Sequence, residues 1–260
     1  MKTTTKILIY ALAGILFLTV VYIAGLSTCL KKETGYSVNN QSCMERHVPE
    51  CAYLRIDSVG LKRLGLLTGT LNISTSPNTT KNGIFIFPTE LEKYIRFAKE
   101  KDTLVIRFVG IEDFLKEKKA YAAMHASFYY YPKDLLGIKN CTVLQLFFRD
   151  FRTDNPLNIQ AEHAFVELAD SCNIAHLVVD EAISLKLRNA RIDALSLDLD
   201  AVKDLKIENC TIPQENLFGF GKHRVDVPSG TSTINWFPRT KEANLSVTLS
   251  GTPARIECKE

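Results

Sequence analysis

The 260-residue chain has no marked excess of either charge, and this absence narrows the classes of partner it can have. Its 32 basic and 29 acidic residues leave a formal net charge of +3. Proteins that bind nucleic-acid backbones usually carry a strong basic surplus on the binding domain. The charge balance therefore argues against a nucleic acid as partner.

The chain also lacks the short motifs of common catalytic and metal sites. Its seven cysteines include no CxxC pair, and its five histidines form no HExxH motif. There is no glycine-rich phosphate loop and no GxSxG nucleophile elbow. His163, Cys172 and His176 could be metal ligands, but turn and strand positions explain them equally well. The sequence predicts no cofactor.

One long apolar run stands out at the amino terminus. Residues Ile7–Leu26 carry no charge and follow Lys2 and Lys6. About 20 apolar residues suffice for a helix that spans a bilayer. A basic leader before such a run is typical of an uncleaved signal anchor or a long secretory signal peptide. Either interpretation places the rest of the chain outside the cytoplasm.

The end of the apolar run resembles a bacterial lipobox. In the segment Leu26-Ser27-Thr28-Cys29, Cys29 stands where a lipoprotein carries its lipid, although Thr28 replaces the usual Gly or Ala. Three outcomes stay open: a retained transmembrane helix, lipidation of Cys29, or cleavage without lipid. We expect residues 1–28 to be the signal anchor or lipoprotein signal and residues 29–52 to be a polar tether.

Two cysteines lie close together at the end of this tether. Cys43 and Cys51 are near enough in sequence to close a small loop. Disulfides persist in oxidising compartments such as the bacterial periplasm. A disulfide between Cys43 and Cys51 is therefore a prediction, although spacing alone does not establish a bond.

A repeat between residues 175 and 212 indicates the architecture of the main domain. Leu185–Ile192 aligns with Leu205–Ile212 at a spacing of twenty residues, with leucine and isoleucine at matching places. Alternation of apolar and polar residues sends every second side chain of a strand to the same face. Repeats of this length stack so that their apolar faces form one core. We expect an all-β domain, a parallel β-solenoid over residues 53–260 with an irregular carboxyl-terminal cap.

A shorter pattern, present in three copies, predicts the corners of the coils. Each copy has an aliphatic residue, any residue, Asn, a small residue, any residue and an aliphatic residue, and the three asparagines are Asn140, Asn189 and Asn209. Asn accepts left-handed backbone angles and hydrogen-bonds to neighbouring main chain. The small residue that follows should pack in the core, so Cys141 and Cys210 are predicted to be buried thiols.

The segment Ile111–Met124 interrupts the strand pattern. Its apolar residues fall near helical spacing among strong helix formers. We expect a helical or irregular excursion from the β body, with its charged residues facing solvent.

Aromatic residues are the candidates for an interaction surface. Strand alternation within the run Phe128-Tyr129-Tyr130-Tyr131 would turn two rings toward solvent. Exposed aromatic rings suit contacts with sugars or proteins because they bury a large area at low entropic cost. Trp236, the single tryptophan, either covers the last coil or marks a ligand surface. Tyr129, Tyr130, Tyr131 and Trp236 are therefore candidate contact residues, with ordinary packing as the alternative.

Four aspartates are candidates for catalysis: Asp180, Asp193, Asp198 and Asp200. Asp180 and Asp200 recur at the twenty-residue spacing, and carboxylates on successive coils could act as acid and base or bind calcium. Strand alternation gives them a simpler role as outward polar residues, as with Asp198 between two leucines. A carbohydrate-active lyase or hydrolase is therefore the alternative to a non-catalytic module.

The segment Pro88–Phe108 resembles the opening of the head GIN domain, an adhesin domain of Bacteroidetes envelope proteins. The matching residues are a leucine, a Tyr-Ile pair and a D-x-L-x-I strand, here Leu91, Tyr94, Ile95, Asp102, Leu104 and Ile106. The resemblance covers roughly residues 59–258. It implies a right-handed parallel β-helix, with no catalytic residues, in the bacterial cell envelope. We expect a structural, adhesion or interaction module, attached to a membrane, that binds an envelope protein or a glycan.

Overall fold

The computed structural model describes residues 36–38, 42–59, 64–75, 82–120, 123–202, 204–225, 232–249 and 254–259. Over these residues the fold is all-β, as predicted. The strands up to the first long one are β1 (Tyr36–Ser37), β2 (Cys43–His47), β3 (Tyr53–Val59), β4 (Leu67–Ile73), β5 (Ile84–Pro88), β6 (Ile95–Glu100), β7 (Thr103–Val109), β8 (Met124–Tyr131), β9 (Gly137–Asn140) and β10 (Gln145–Arg149). The strands that follow are β11 (Arg152–Ala169), β12 (Asn173–Arg188), β13 (Arg191–Asp198), β14 (Leu205–Glu208), β15 (Gln214–Phe218), β16 (Gly221–Val225), β17 (Ser232–Phe237), β18 (Leu245–Leu249) and β19 (Ala254–Cys258).

Two runs of parallel strand pairs share the long strands β11 and β12. The front run has the order β7-β3-β9-β11-β12-β13-β15-β17-β19. The back run has the order β8-β4-β10-β11-β12-β14-β16-β18. Register shifts near Ile159 and Ala161 divide β11 into two halves. The first half pairs with β9 in the front run, and the second half pairs with β10 in the back run. Three antiparallel pairs, β2–β5, β5–β8 and β6–β7, make the sheet mixed.

Residues that align in the twenty-residue repeat are partners in the strand register. Leu185 lies beside Leu205 in the back run, and Leu187 lies beside Ile207. In the front run, Ser196 lies beside Asn216. Adjacent strands are about 4.8 Å apart. Equivalent side chains therefore form rows that cross the strands at right angles.

The inward rows of both runs form one apolar cluster. Leu177, Leu187 and Leu197 are each at most 1% exposed. Burial of such a side chain contributes about 1.5–3 kcal/mol. Glu215 breaks the pattern, because it lies between Leu195 and Ile234 in an inward row and is only 2% exposed.

Gly69 shows why one position of β4 must lack a side chain. Its φ is +128°, and a Cβ atom there would lie 1.8 Å from the carbonyl oxygen of Ala126. Ala126 is its register partner in β8. Only glycine allows the two backbones to approach this closely.

The expected helical excursion is confirmed. Helix α1 spans Ile111–Glu117 and buries Ile111, Phe114 and Leu115. Phe114 makes an edge-to-face contact with Tyr36, with ring centroids 5.5 Å apart. Two short 3-10 turns, Leu64–Leu66 and Thr89–Tyr94, complete the helical elements of the described chain.

The described parts of the predicted tether and of the predicted cap both contain strands. Within the predicted tether, β1 pairs with β8 and β2 pairs with β5. Val38 is 2% exposed, so this segment adds apolar side chains to the core. At the other end, the described residues after Phe218 continue both parallel runs as β16 to β19. Strands thus extend through the described part of the predicted cap.

No helix among the described residues is long and apolar enough to cross a membrane. The predicted span, Ile7–Leu26, and Cys29 lie outside the described residues.

Candidate functional site

The predicted contact aromatics lie on two different runs of strands. Along β8, Tyr129 is 38% exposed, Tyr130 is buried and Tyr131 is half-buried. Burial raises the pKa of the Tyr130 phenol above its ordinary value. Trp236 lies in β17 of the front run, where it is half-buried and its indole N–H donates to the Gly219 carbonyl at 2.7 Å. Tyr129 is thus the most exposed of the predicted aromatic residues.

The predicted corner asparagines adopt two different geometries. Asn189 and Asn209 both have a φ of 51°, in the left-handed region, and the Asn209 amide donates to Asn189 Oδ1 at 2.7 Å. Asn140 is buried, and its amide donates to the Leu144 carbonyl at 2.7 Å. Its Oδ1 accepts from the backbone N–H and the hydroxyl of Thr142. Asn140 therefore closes its turn through the side chain.

The cysteines of the described chain differ in burial. Cys43 is exposed at the start of β2, whereas Cys51 is buried beyond the end of that strand, and their disulfide stays a prediction. Cys210 is buried and Cys141 is half-buried. Burial raises the pKa of the Cys172 thiol to about 11, and this thiol donates to the Ala169 carbonyl at 3.1 Å.

The aspartates proposed for catalysis are held by neighbouring side chains. Arg239 contacts Asp198 at 2.6 Å and Asp200 at 3.2 Å. Asp200 also accepts the backbone N–H of Phe220, and Asp193 pairs with Arg191 at 3.2 Å. The contacts of Asp198 and Asp200 connect the turn after β13 to segments that follow β15 and β17, so these two carboxylates have a structural use.

The histidines and cysteine considered as metal ligands have other partners. His163 lies 3.6 Å from Glu162, and His176 Nε2 lies 2.9 Å from the Ser196 hydroxyl. Cys172 is buried against backbone carbonyls. Across the described ranges, no group of three or more His, Cys, Asp or Glu residues could hold a metal ion.

A cleft of about 610 Å³ lies on the front run and was not predicted from the sequence. It crosses five neighbouring parallel strands of the front run, β7, β3, β9, β11 and β12. Its lining consists of Tyr53, Leu54, Arg55, Thr103, Leu136, Gly137, Ile138, Lys139, Pro156, Asn158, Gln160 and Val178. The cleft is thus lined by apolar side chains, amide side chains and two cationic side chains, Arg55 and Lys139.

Tyr53 forms the aromatic wall of this cleft. Its side chain is 46% exposed, and its register partner on β9 is Gly137. A Cβ atom at Gly137 would lie 3.0 Å from Tyr53 Cδ1. The absence of a side chain at Gly137 therefore lets the tyrosine ring lie close against the neighbouring strand.

Charged groups stand at one side of the cleft. Arg55 pairs with Asp57 at 3.0 Å, and this hydrogen bond raises the pKa of Arg55. Lys139 is exposed. Gln160 donates to Asp180 Oδ2 at 3.3 Å, so the predicted catalytic carboxylate is a neighbour of the cleft lining. The lining itself contains no Asp, Glu, His or Cys.

A polar face extends from the cleft along β11, β12, β13, β15 and β17. It consists of two outward rows, Pro156-His176-Ala194-Gln214-Thr233 and Asn158-Val178-Ser196-Asn216-Asn235. The ten positions include no Asp, Glu, Lys or Arg. This stretch of the surface is therefore polar without formal charge at neutral pH.

Side-chain hydrogen bonds connect the members of the polar face. Asn216 donates to the Ser196 hydroxyl at 3.3 Å and accepts from Asn235 at 3.0 Å. Gln214 also donates to Asn216 Oδ1 at 3.3 Å. These bonds restrict the amide orientations before any ligand arrives.

The back run carries a different outward surface. Lys186 lies 3.9 Å from both Glu167 and Glu208, and Arg188 lies 3.4 Å from Glu167. Outward side chains on neighbouring strands of the back run are thus connected by ion pairs. Those on the front run are connected by hydrogen bonds between amides and hydroxyls. Sequence patterning missed this contrast, although Ser196, Asn216 and Asn235 recur at spacings that continue the repeat.

Comparison with protein-family models gave no match. Comparison with curated proteins also gave no match.

Several solved structures of Bacteroidetes proteins are similar to this chain. A "putative adhesin" from Bacteroides fragilis is 15% identical, with a TM-score of 0.45, and the match covers 86% of this chain and 100% of that one. A "putative adhesin" from Parabacteroides merdae is 12% identical, with a TM-score of 0.36 and coverage of 86% and 95%. A "putative lipid binding protein" from Parabacteroides distasonis is 11% identical, with a TM-score of 0.37 and coverage of 87% and 100%. Similarity at this level supports no inference about function.

Proposed function

We propose that the chain is a non-catalytic interaction module of the bacterial cell envelope, built as a right-handed parallel β-helix of the GIN type. The observation that carries the proposal is the lining of the cleft. Tyr53, Asn158 and Gln160 supply an aromatic surface and hydrogen-bonding amides, while the lining holds no Asp, Glu, His or Cys. Glycoside cleavage commonly uses a pair of carboxyl groups that flank the bond. The cleft is therefore suited to binding.

The engagement of the repeat carboxylates supports the same proposal. Asp198 and Asp200 share Arg239, which contributes both of its terminal nitrogens. Asp180 accepts from Gln160. These contacts give the carboxylates a structural role that requires no catalysis. Their removal should therefore lower the free energy of unfolding.

The test compares binding with cleavage on the same sample. The purified full-length chain is incubated with isolated cell envelopes and with neutral and acidic polysaccharides, and bound protein, new reducing ends and unsaturated products are measured. We expect saturable binding to envelopes and no cleavage. Tyr53→Ala should weaken this binding, whereas Phe165→Ala, which also removes an exposed ring, should leave it unchanged. Cleavage that disappears in Asp200→Asn would refute the proposal and establish a carbohydrate-active enzyme.

We further propose that the amino terminus attaches this module to a membrane, either through residues 1–28 as a retained helix or through a lipid on Cys29. The apolar run and its basic leader support the attachment. Cells grown with radioactive palmitate distinguish the two forms. Label that is lost in Cys29→Ala indicates a lipoprotein, whereas an unlabelled chain that resists alkaline extraction indicates a retained helix. An unlabelled chain that alkali extracts would contradict both forms.

A further inference from the structure

We infer that the polar face and the Tyr53 cleft together bind one extended, neutral glycan chain that lies across the strands. The inference rests on the proposed function and specifies its ligand. Its basis is a row of outward positions on seven adjacent parallel strands: Tyr53, Gly137, Asn158, Val178, Ser196, Asn216 and Asn235.

The dimensions of this row suit a polymer. Parallel strands about 4.8 Å apart give the seven positions a length of about 29 Å. Extended polysaccharides repeat at a length close to the strand spacing, so each sugar unit would lie over about one strand. A single sugar would occupy only one or two of these positions, whereas a chain can reach from Tyr53 at one end of the row to Asn235 at the other.

The chemistry of the row suits hydroxyl groups. Asn158, Ser196, Asn216 and Asn235 present amides and a hydroxyl, which can both donate and accept hydrogen bonds. Mutual hydrogen bonds at 3.0 to 3.3 Å hold three of them in place. Pre-organised groups lose less conformational entropy on binding. His176, beside Ser196 at 2.9 Å, adds another polar group from the adjacent row.

Tyr53 supplies an apolar contact in addition to the hydrogen bonds of the row. Hydroxyl groups are well solvated in water, so an exchange of hydrogen bonds yields little net free energy. An exposed ring gives the apolar face of a pyranose a surface to bury. Tyr53 is 46% exposed and stands at one end of the row, where its ring lies against Gly137. The sugar at this end should therefore make the largest contribution to affinity.

The distribution of charge selects a neutral glycan over an acidic one. The ten positions of the polar face carry no formal charge. Arg55 is paired with Asp57, and Asp180 stands beside Gln160, so the cations and carboxylates around the cleft are close to balance. Protein interfaces typically have an apolar core rich in aromatic residues, whereas amide side chains occupy four of the ten positions of the polar face. Its composition thus favours sugar hydroxyls.

The test measures binding of defined oligosaccharides to the purified full-length chain by calorimetry, in a detergent without a sugar head group. The probes are cellohexaose, mannohexaose, xylohexaose and chitohexaose, their disaccharides, and hexagalacturonate. We expect at least one neutral hexaose to bind, its disaccharide to bind more weakly, and added salt to have little effect. Tyr53→Ala should weaken binding about tenfold, as expected for loss of one stacking contact.

Matched variants separate the polar face from general effects. Asn216→Leu should weaken binding several-fold, whereas Lys206→Leu, outward on the back run, should not. Phe165→Ala is the control for Tyr53→Ala, because it also removes an exposed aromatic ring. Thermal melting establishes that each variant is folded, and Tyr53→Phe should retain binding because it retains the ring.

Three results would overturn the inference. These are no binding of any neutral hexaose, salt-sensitive binding of hexagalacturonate alone, or equal affinities for wild type and Tyr53→Ala. If no oligosaccharide binds but envelope binding still depends on Tyr53, the inference fails and the proposed function stands. If envelope binding is also absent, both fail.

Discussion

Replacement of Asn209 tests whether the turns between strands depend on left-handed backbone geometry. Asn209 has a φ of 51°, and its amide donates to Asn189 at 2.7 Å. Asn209→Ala leaves the left-handed region to a residue that lacks the local side-chain hydrogen bonds by which Asn tolerates it, at a cost of about 1–2 kcal/mol. It also removes an exposed hydrogen bond worth about 0.5 kcal/mol, the low end of the usual range. We expect a total loss of about 1.5–2.5 kcal/mol.

Asn209→Gly separates the two contributions. Glycine adopts positive φ without steric cost, so this variant loses only the hydrogen bond and retains the favourable geometry. Its greater unfolded-state entropy opposes part of the gain. The expected order of stability is wild type, then Gly close below it, then Ala clearly lower.

The assay is thermal and urea unfolding of the full-length chain, followed by circular dichroism in the β region. A loss of 1 kcal/mol shifts the melting temperature of a domain of about 200 residues by roughly 2–4 °C. The double variant with Asn189→Ala measures coupling between the two side chains. Equal stability of Asn209→Ala and wild type, or a glycine variant less stable than the alanine variant, would refute the reasoning.

Three further predictions concern the core, a close backbone contact and pH. Leu187→Ala should cost about 2–5 kcal/mol in unfolding experiments because Leu187 is fully buried, whereas Lys186→Ala should change little; equal effects would contradict the alternation. Gly69→Ala should prevent the β4–β8 pairing and lower expression of folded protein, whereas Gly65→Ala, which meets nothing within 4 Å, should be tolerated; a folded Gly69→Ala protein of normal stability would contradict the register. The pKa of Cys172, raised by burial to about 11, means that the folded state holds this proton more tightly. The stabilisation is fully present below about pH 9 and is lost as the pH rises toward 11; an identical alkaline decline in Cys172→Ala would contradict this role.

The sequence was sufficient to predict the class of fold because the apolar pattern repeats. Leu185 and Leu205 align in the sequence and are also partners across two strands, so a periodic pattern led directly to a register. Asn189 and Asn209 could be placed in turns because few residues tolerate left-handed angles.

The ends of the domain and the cleft could not be predicted in this way. Val38 contributes to the core from a two-strand segment that has no periodicity of its own. The cleft forms where Tyr53, Gly137 and Asn158 meet, and these residues are separated by 84 and 21 positions in the chain. The spacing of 84 between Tyr53 and Gly137 belongs to no repeat, whereas the spacing of 21 between Gly137 and Asn158 is close to the twenty-residue period. A long-range pairing of β3 with β9 therefore created a site for which no local signal exists.

Cross-linking between register partners is the measurement that tests most directly whether outward residues form one continuous row. Cysteines at Ser196 and Asn216, in a chain whose native Cys43 and Cys258 are replaced by alanine, should form a disulfide rapidly under mild oxidation, because the two positions are adjacent. Cysteines at Ser196 and Phe218 should react far more slowly, since that pair is offset by two residues along the strand. Equal rates for the two pairs, or faster reaction of the offset pair, would contradict the row and the extended binding surface built on it.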